Sequence, residues 1–91
     1  MKESLLEDYR YILYLKKECP FCVRAKNFLN LKELRHKAIY FDENLKLLDD
    51  LKDAYSWSTV PMVFEKKENN YVFVGGYTDL VERQENNERA G

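Results

Sequence analysis

The run Tyr11-Ile12-Leu13-Tyr14-Leu15 is continuous, apolar and β-prone, the pattern of a strand covered on both faces. Before it, Glu3 to Tyr9 is polar around Leu5 and Leu6 and predicts one short helical turn. Beyond Cys19-Pro20-Phe21-Cys22, Ala25, Phe28 and Leu29 recur at helical spacing, which predicts a first helix from about Pro20 to Lys32. Ala38-Ile39-Tyr40-Phe41 is a second strand, closed by Asp42. Leu45, Leu48, Leu51 and Tyr55 then recur at spacings of three and four with charges between them, an amphipathic second helix that Ser56-Trp57-Ser58 breaks. Met62-Val63-Phe64 and Tyr71-Val72-Phe73-Val74 read as strands, and the polar stretch from Lys66 to Asn70 predicts a hairpin between them. Gly75-Gly76 ends the fourth strand. Thr78 is the expected N-cap of a last helix starting near Asp79, whose charge suits the positive helix end. From Asn86 the chain turns polar, and residues 86–91 are expected to fray.

The order is β-α-β-α-β-β-α, without repeat or linker. A strand, helix, strand unit followed by a hairpin implies an α/β fold with a four-stranded mixed sheet and helices on its faces. The first two strands should be parallel and the hairpin antiparallel to them. Ninety-one residues leave room for a single domain, 1–91, and an apolar share of 45% is enough for a core. The balance of 15 basic against 16 acidic residues provides no field to hold a polyanion, which disfavours nucleic acid as partner. No apolar run is long enough to span a bilayer. The start Met1-Lys2-Glu3-Ser4 carries an acid where a secretory signal wants bases, so the expected location is cytoplasmic.

Two cysteines are too few for a secreted disulfide scaffold; a close pair in a reducing compartment is catalytic or metal-binding, and the count does not choose. Position is more informative. With Pro20 in the first helical position, where its missing N–H has no partner to lose, Cys19 falls at the N-cap. The free amides of Phe21 and Cys22 then point at its sulfur and favour the thiolate. Lys16 adds positive charge, and Lys17, Arg24 and Lys26 outweigh Glu18 nearby. The expected shift of the Cys19 thiol is downward, which suits exchange chemistry. Cys22 lies a turn further in, more covered, and should act second. Zinc wants four ligands, whereas only His36 remains, outside a ligand spacing, so no metal is expected. His36, between Arg35 and Lys37, is expected to be a solvated loop side chain. Thr59-Val60-Pro61 precedes a strand, and Pro61 is either an ordinary loop proline or a cis one; composition does not decide.

Lys16-x-x-Cys19-Pro20-Phe21-Cys22, Thr59-Val60-Pro61 and Gly75-Gly76-Tyr77-Thr78-Asp79-Leu80 together resemble the signature set of the glutaredoxin family, in order and spacing, over nearly the whole chain. The resemblance implies a thioredoxin-like fold in which Pro61 is cis and faces Cys19. It implies a thiol-disulfide oxidoreductase with Cys19 and Cys22 as the reactive pair and glutathione as reducing co-substrate. Val60, in the Thr59-Val60-Pro61 segment, would pair strand-like with the glutathione cysteine. Thr78 and Asp79, with Gly76 and Tyr77 beside them, would hold the γ-glutamyl end, as a helix N-terminus can. Lys16 would answer the glycyl carboxylate, and Phe21 would wall the groove.

Two departures stand out. Glutaredoxins often place Arg or Lys just before the Thr-Val-Pro, where this chain has Trp57-Ser58, which bears on how tightly glutathione is held. Phe21 replaces the commoner tyrosine. The implied partners are disulfide-containing or glutathionylated proteins, ribonucleotide reductase or another dithiol-requiring reductase among the open possibilities, with the chain acting as a monomer. Two alternatives remain: an electron donor fed by thioredoxin reductase, which lacks its expected Gly-Phe-Arg-Pro continuation, and an iron–sulfur cluster carrier, which Pro20 argues against.

Overall fold

The computed structural model describes residues 9–90, with side chains up to residue 87. The helical turn expected from Glu3 lies, up to Asp8, outside the described residues. β1 (Tyr11–Leu15) buries Tyr11, Leu13 and Leu15 completely on one face and half-buries Ile12 and Tyr14 on the other. α1 (Pro20–Leu31) carries the chain to β2 (His36–Tyr40), which pairs parallel with β1. α2 (Leu45–Ala54) leads to β3 (Met62–Lys67), antiparallel on the other edge of β1, and β4 (Asn70–Gly75) returns antiparallel to β3. α3 (Tyr77–Ala90) follows. The sheet order is β2-β1-β3-β4, so the mixed sheet and its strand directions are as expected.

Each sheet face buries its own core. On one side Tyr11, Leu13, Leu15 and Val63 pack with Cys22, Ala25 and Leu29 of α1 and Leu80 of α3. On the other, Met62 and Phe64 pack with Phe41 and Leu48, with Ile12, Tyr14 and Leu51 against them. The first core fixes the position of α1, and hence of the two cysteines, relative to β3 and α3.

Several boundaries differ from the sequence reading. β2 starts at His36, before the apolar run, because parallel pairing with β1 reaches Tyr11↔His36. His36 is therefore a half-buried strand residue rather than a solvated loop side chain, its Nδ1 3.0 Å from the Leu34 carbonyl oxygen. The hairpin strands run into the polar stretch and leave a two-residue turn, Glu68-Asn69, with Glu68 at φ 58°. Polar residues extend such strands wherever the ladder can close over them. Leu45 of the predicted apolar stripe is half-exposed, whereas Leu48 is buried. α3 begins at Tyr77, not near Asp79: the Gly76 carbonyl accepts from the Leu80 amide at 3.0 Å, so Gly76, not Thr78, occupies the N-cap. The Asp79 carboxylate reaches back to the Gly76 N–H at 2.8 Å, the acidic half of a capping box. The tail expected to fray from Asn86 forms the last turns of α3, through Ala90; the stretch has no Gly or Pro to stop a helix.

Candidate active site

Cys19 occupies the N-cap of α1, with extended backbone (φ −146°, ψ 103°) and Pro20 at the first helical position. Its sulfur accepts the Cys22 amide at 3.1 Å, and its carbonyl accepts the Val23 amide at 3.1 Å. The sulfur thus takes the place of the oxygen that a Ser or Asp cap supplies, at the positive end of a twelve-residue helix. Cys19 and Cys22 are joined as a disulfide, their Cα atoms 5.2 Å apart, a separation that needs no backbone movement to bridge. Cys22 is buried, and Cys19 remains half-exposed, so an incoming sulfur meets Cys19 first.

The loop that leads into the pair is tied from behind. The Lys17 amide donates to both carboxylate oxygens of Asp42, at 3.1 and 3.2 Å. Asp42 follows β2 as Lys17 follows β1, and parallel neighbours bring such loops to the same sheet end. That parallel placement is the signal that could have flagged Asp42 in the sequence.

On the far side of the sulfur, the Val60 carbonyl oxygen lies 3.7 Å from Cys19 Sγ. The Val60–Pro61 peptide is cis, which decides the alternative that composition left open. Beside this segment lies a groove of about 330 Å³. Phe21 forms one wall with Tyr77, their ring centroids 5.9 Å apart, and Thr59, Val60 and Pro61 line its length. Gly76, Thr78 and Asp79, at the start of α3, close one end. Of the residues singled out for a ligand, only Lys16 is not among those that line the groove. Trp57 does line it, a role the sequence reading did not give it, although its place directly ahead of Ser58-Thr59-Val60-Pro61 would have indicated one.

A half-exposed sulfur on a helix N-terminus, a second sulfur within bonding reach and an adjoining groove together suit thiol–disulfide exchange. The glutaredoxin family profile matches residues 11–68, from β1 through the hairpin turn and across both the cysteine pair and the cis proline. The chain belongs to the glutaredoxin family. Its similarity to glutaredoxin-1 of Rhizophagus irregularis is 30% identity over 87 residues, covering 92% of this chain and 82% of that one. Among solved structures, the holo form of glutaredoxin C1 from Populus tremula x tremuloides superposes with a TM-score of 0.75 at 26% identity, covering 94% of this chain and 84% of that one. The buckwheat glutaredoxin–glutathione complex shares the fold, with a TM-score of 0.75 at 21% identity, covering 91% of this chain and 74% of that one. This glutaredoxin therefore has the thioredoxin-like fold, and its activity is that of a thiol–disulfide oxidoreductase.

Proposed function

We propose that this glutaredoxin uses glutathione to reduce protein disulfides and protein–glutathione mixed disulfides. The observation that carries this reading is the groove itself: Phe21, Thr59-Val60-Pro61 and the start of α3 converge on one tripeptide-sized space beside Cys19. In it, Val60 would pair with the backbone of the glutathione cysteine. The free amides at the start of α3 would take the γ-glutamyl carboxylate. Asp79, with one oxygen on the Gly76 amide, has a second oxygen for the ammonium. Lys16, just after β1, would supply long-range attraction to the glycyl end. A reactive pair of this kind suits a reducing compartment, and we place the activity in the cytoplasm.

The Cys19 thiolate attacks the glutathione sulfur of a mixed disulfide, the old S–S bond breaks, and the protein thiolate leaves and takes up a proton. A second glutathione thiolate then attacks the Cys19-bound glutathione, which releases glutathione disulfide and restores the Cys19 thiolate. With a protein disulfide as substrate, Cys22 attacks the Cys19 sulfur of the enzyme–protein adduct and closes the Cys19–Cys22 disulfide. Two glutathiones reopen it.

The test is turnover of a glutathione mixed disulfide by wild type, Cys19→Ser and Cys22→Ser, coupled to glutathione reductase. The first variant should be inactive, and the second should keep monothiol activity. Activity surviving in Cys19→Ser, or turnover with thioredoxin reductase but not with glutathione, would contradict the reading.

A further inference from the structure

Lys16, Lys17 and Glu18 join the end of β1 to the N-cap of α1. Lys17 and Glu18 are exposed, so packing does not hold them. Pro20 keeps Cys19 extended, because the residue before a proline avoids the helical region. It does not set where that N-cap stands relative to the sheet. The tolerance there is small. The sulfur has the Cys22 amide at 3.1 Å on one side and the Val60 carbonyl oxygen at 3.7 Å on the other. A thiolate is favoured by the donor and opposed by the carbonyl oxygen.

The parallel ladder supplies the constraint, through a side chain. Its last backbone rung is the Phe41 amide on the Leu15 carbonyl, at 2.9 Å. A further rung would put the Lys17 amide on the Phe41 carbonyl. That carbonyl instead accepts the Asn44 amide at 2.8 Å, where the chain turns towards α2. Asp42 fills the gap: its two carboxylate oxygens receive the Lys17 amide at 3.1 and 3.2 Å. Among the described residues, no other hydrogen bond reaches the backbone of Lys17 or Glu18.

We propose that Asp42 is a positioning residue for the exchange reaction. It acts through the Lys17 amide, fixes the loop from β1 to α1, and so keeps the Cys19 sulfur against its donor, where the thiolate is favoured. The bond and the charge of Asp42 act in opposite directions, since a negative group near the sulfur would by itself disfavour the thiolate. The chemistry is unchanged: the Cys19 thiolate bonds to a disulfide sulfur, the old S–S bond breaks, and the released thiolate takes a proton from solvent. The proposal rests on the cysteine pair alone and does not depend on which thiol reduces it.

The experiment compares fully reduced wild type, Asp42→Ala and Asp42→Asn. Two quantities are read: the pH midpoint of Cys19 alkylation by iodoacetamide, and the rate of exchange with a small aromatic disulfide in mild acid, followed by the aryl thiolate released. Lys16, Lys17, Glu18 and Arg24 around Cys19, and Asp79 across the groove, stay in place in every variant. Asp42→Ala should raise the Cys19 midpoint by about half a unit or more. Its exchange should slow about twofold or more, because the lost thiolate outweighs the gain in nucleophilicity. Asp42→Asn keeps an oxygen for the Lys17 amide and should recover most of both, with a midpoint within about 0.3 unit of wild type. An alanine variant with the wild-type midpoint and rate overturns the proposal, as does an asparagine variant no better than alanine. A midpoint that falls by about half a unit in Asp42→Asn also overturns it, since that marks a charge acting through space. If Asp42→Ala does not fold, the asparagine midpoint alone decides.

Discussion

Gly75 sits where β4 hands over to α3, with φ at 132°, and a Cβ built on it would collide with the Asp79 carboxylate. That carboxylate is the one capping the Gly76 amide. Both the backbone angle and the close approach therefore require glycine. Gly75→Ala should destabilise the fold by more than about 1 kcal/mol, read from the midpoint of urea unfolding with the slope unchanged. Gly76 differs: its nearest neighbour, Trp57 Cζ2 at 3.5 Å, is at ordinary contact distance, so Gly76→Ala meets no clash and should cost only the poorer N-cap, about 0.5–1 kcal/mol and less than Gly75→Ala. Equal losses in the two variants would contradict this assignment. In the sequence the two glycines look alike and mark only the end of a strand. Which of them is obligatory depends on where Asp79 lands, and that follows from α3 starting at Tyr77.

Between elements, α3 is locked to the sheet by a buried polar network. Tyr11 of β1 donates its hydroxyl to Glu65 of β3 at 2.7 Å, and Gln84 of α3 donates its side-chain amide to the same Tyr11 oxygen. Arg83 pairs with the other Glu65 oxygen, and Arg10 lies 3.6 Å from the first. Burial, followed by the bond to Glu65, pushes the Tyr11 hydroxyl up to about 12. Burial would also push Glu65 up, but the hydrogen bonds from Tyr11 and Arg83, with the charges of Arg83 and Arg10, more than offset it and leave the carboxyl below its usual value. A carboxyl lowered on folding stabilises the protein above its unfolded value, and that stability is lost as pH falls through the folded one. Glu65→Gln should therefore cost about 1–3 kcal/mol near neutral pH, and its gap to wild type should narrow in acid, below the ordinary carboxyl value of 4.5. Urea midpoints across pH check this; a gap that does not vary with pH would contradict it. Strand and helix identities were readable because each is set by local periodicity. This network was not, since Glu65 looks like the polar end of an apolar run and its partners are 54 and 18 residues away.

At the scale of the whole molecule, three distant segments meet at one sulfur. The start of α1 presents Cys19, the loop after α2 brings Val60 and Trp57, and the start of α3 closes the groove. The chain of elements was legible because a strand-helix-strand unit followed by a hairpin has few ways to form a sheet. The cysteine pair was legible because helix capping is local chemistry: Pro20 fixes where α1 begins. Convergence of the groove was not legible from spacing. The resemblance to a family brought its parts together on paper, and Trp57 entered only as a missing cation. What the arrangement does depends on Cys19 being held as an anion by the Cys22 amide and the positive end of α1, with Cys22 protected behind it. The most direct test is the rate of iodoacetamide alkylation of the fully reduced protein against pH, with each cysteine resolved by mass spectrometry. Cys19 should react first, with a midpoint at least about one unit below the value near 8.5 of free cysteine. A midpoint at the free-cysteine value, or Cys22 alkylated ahead of Cys19, would contradict the account.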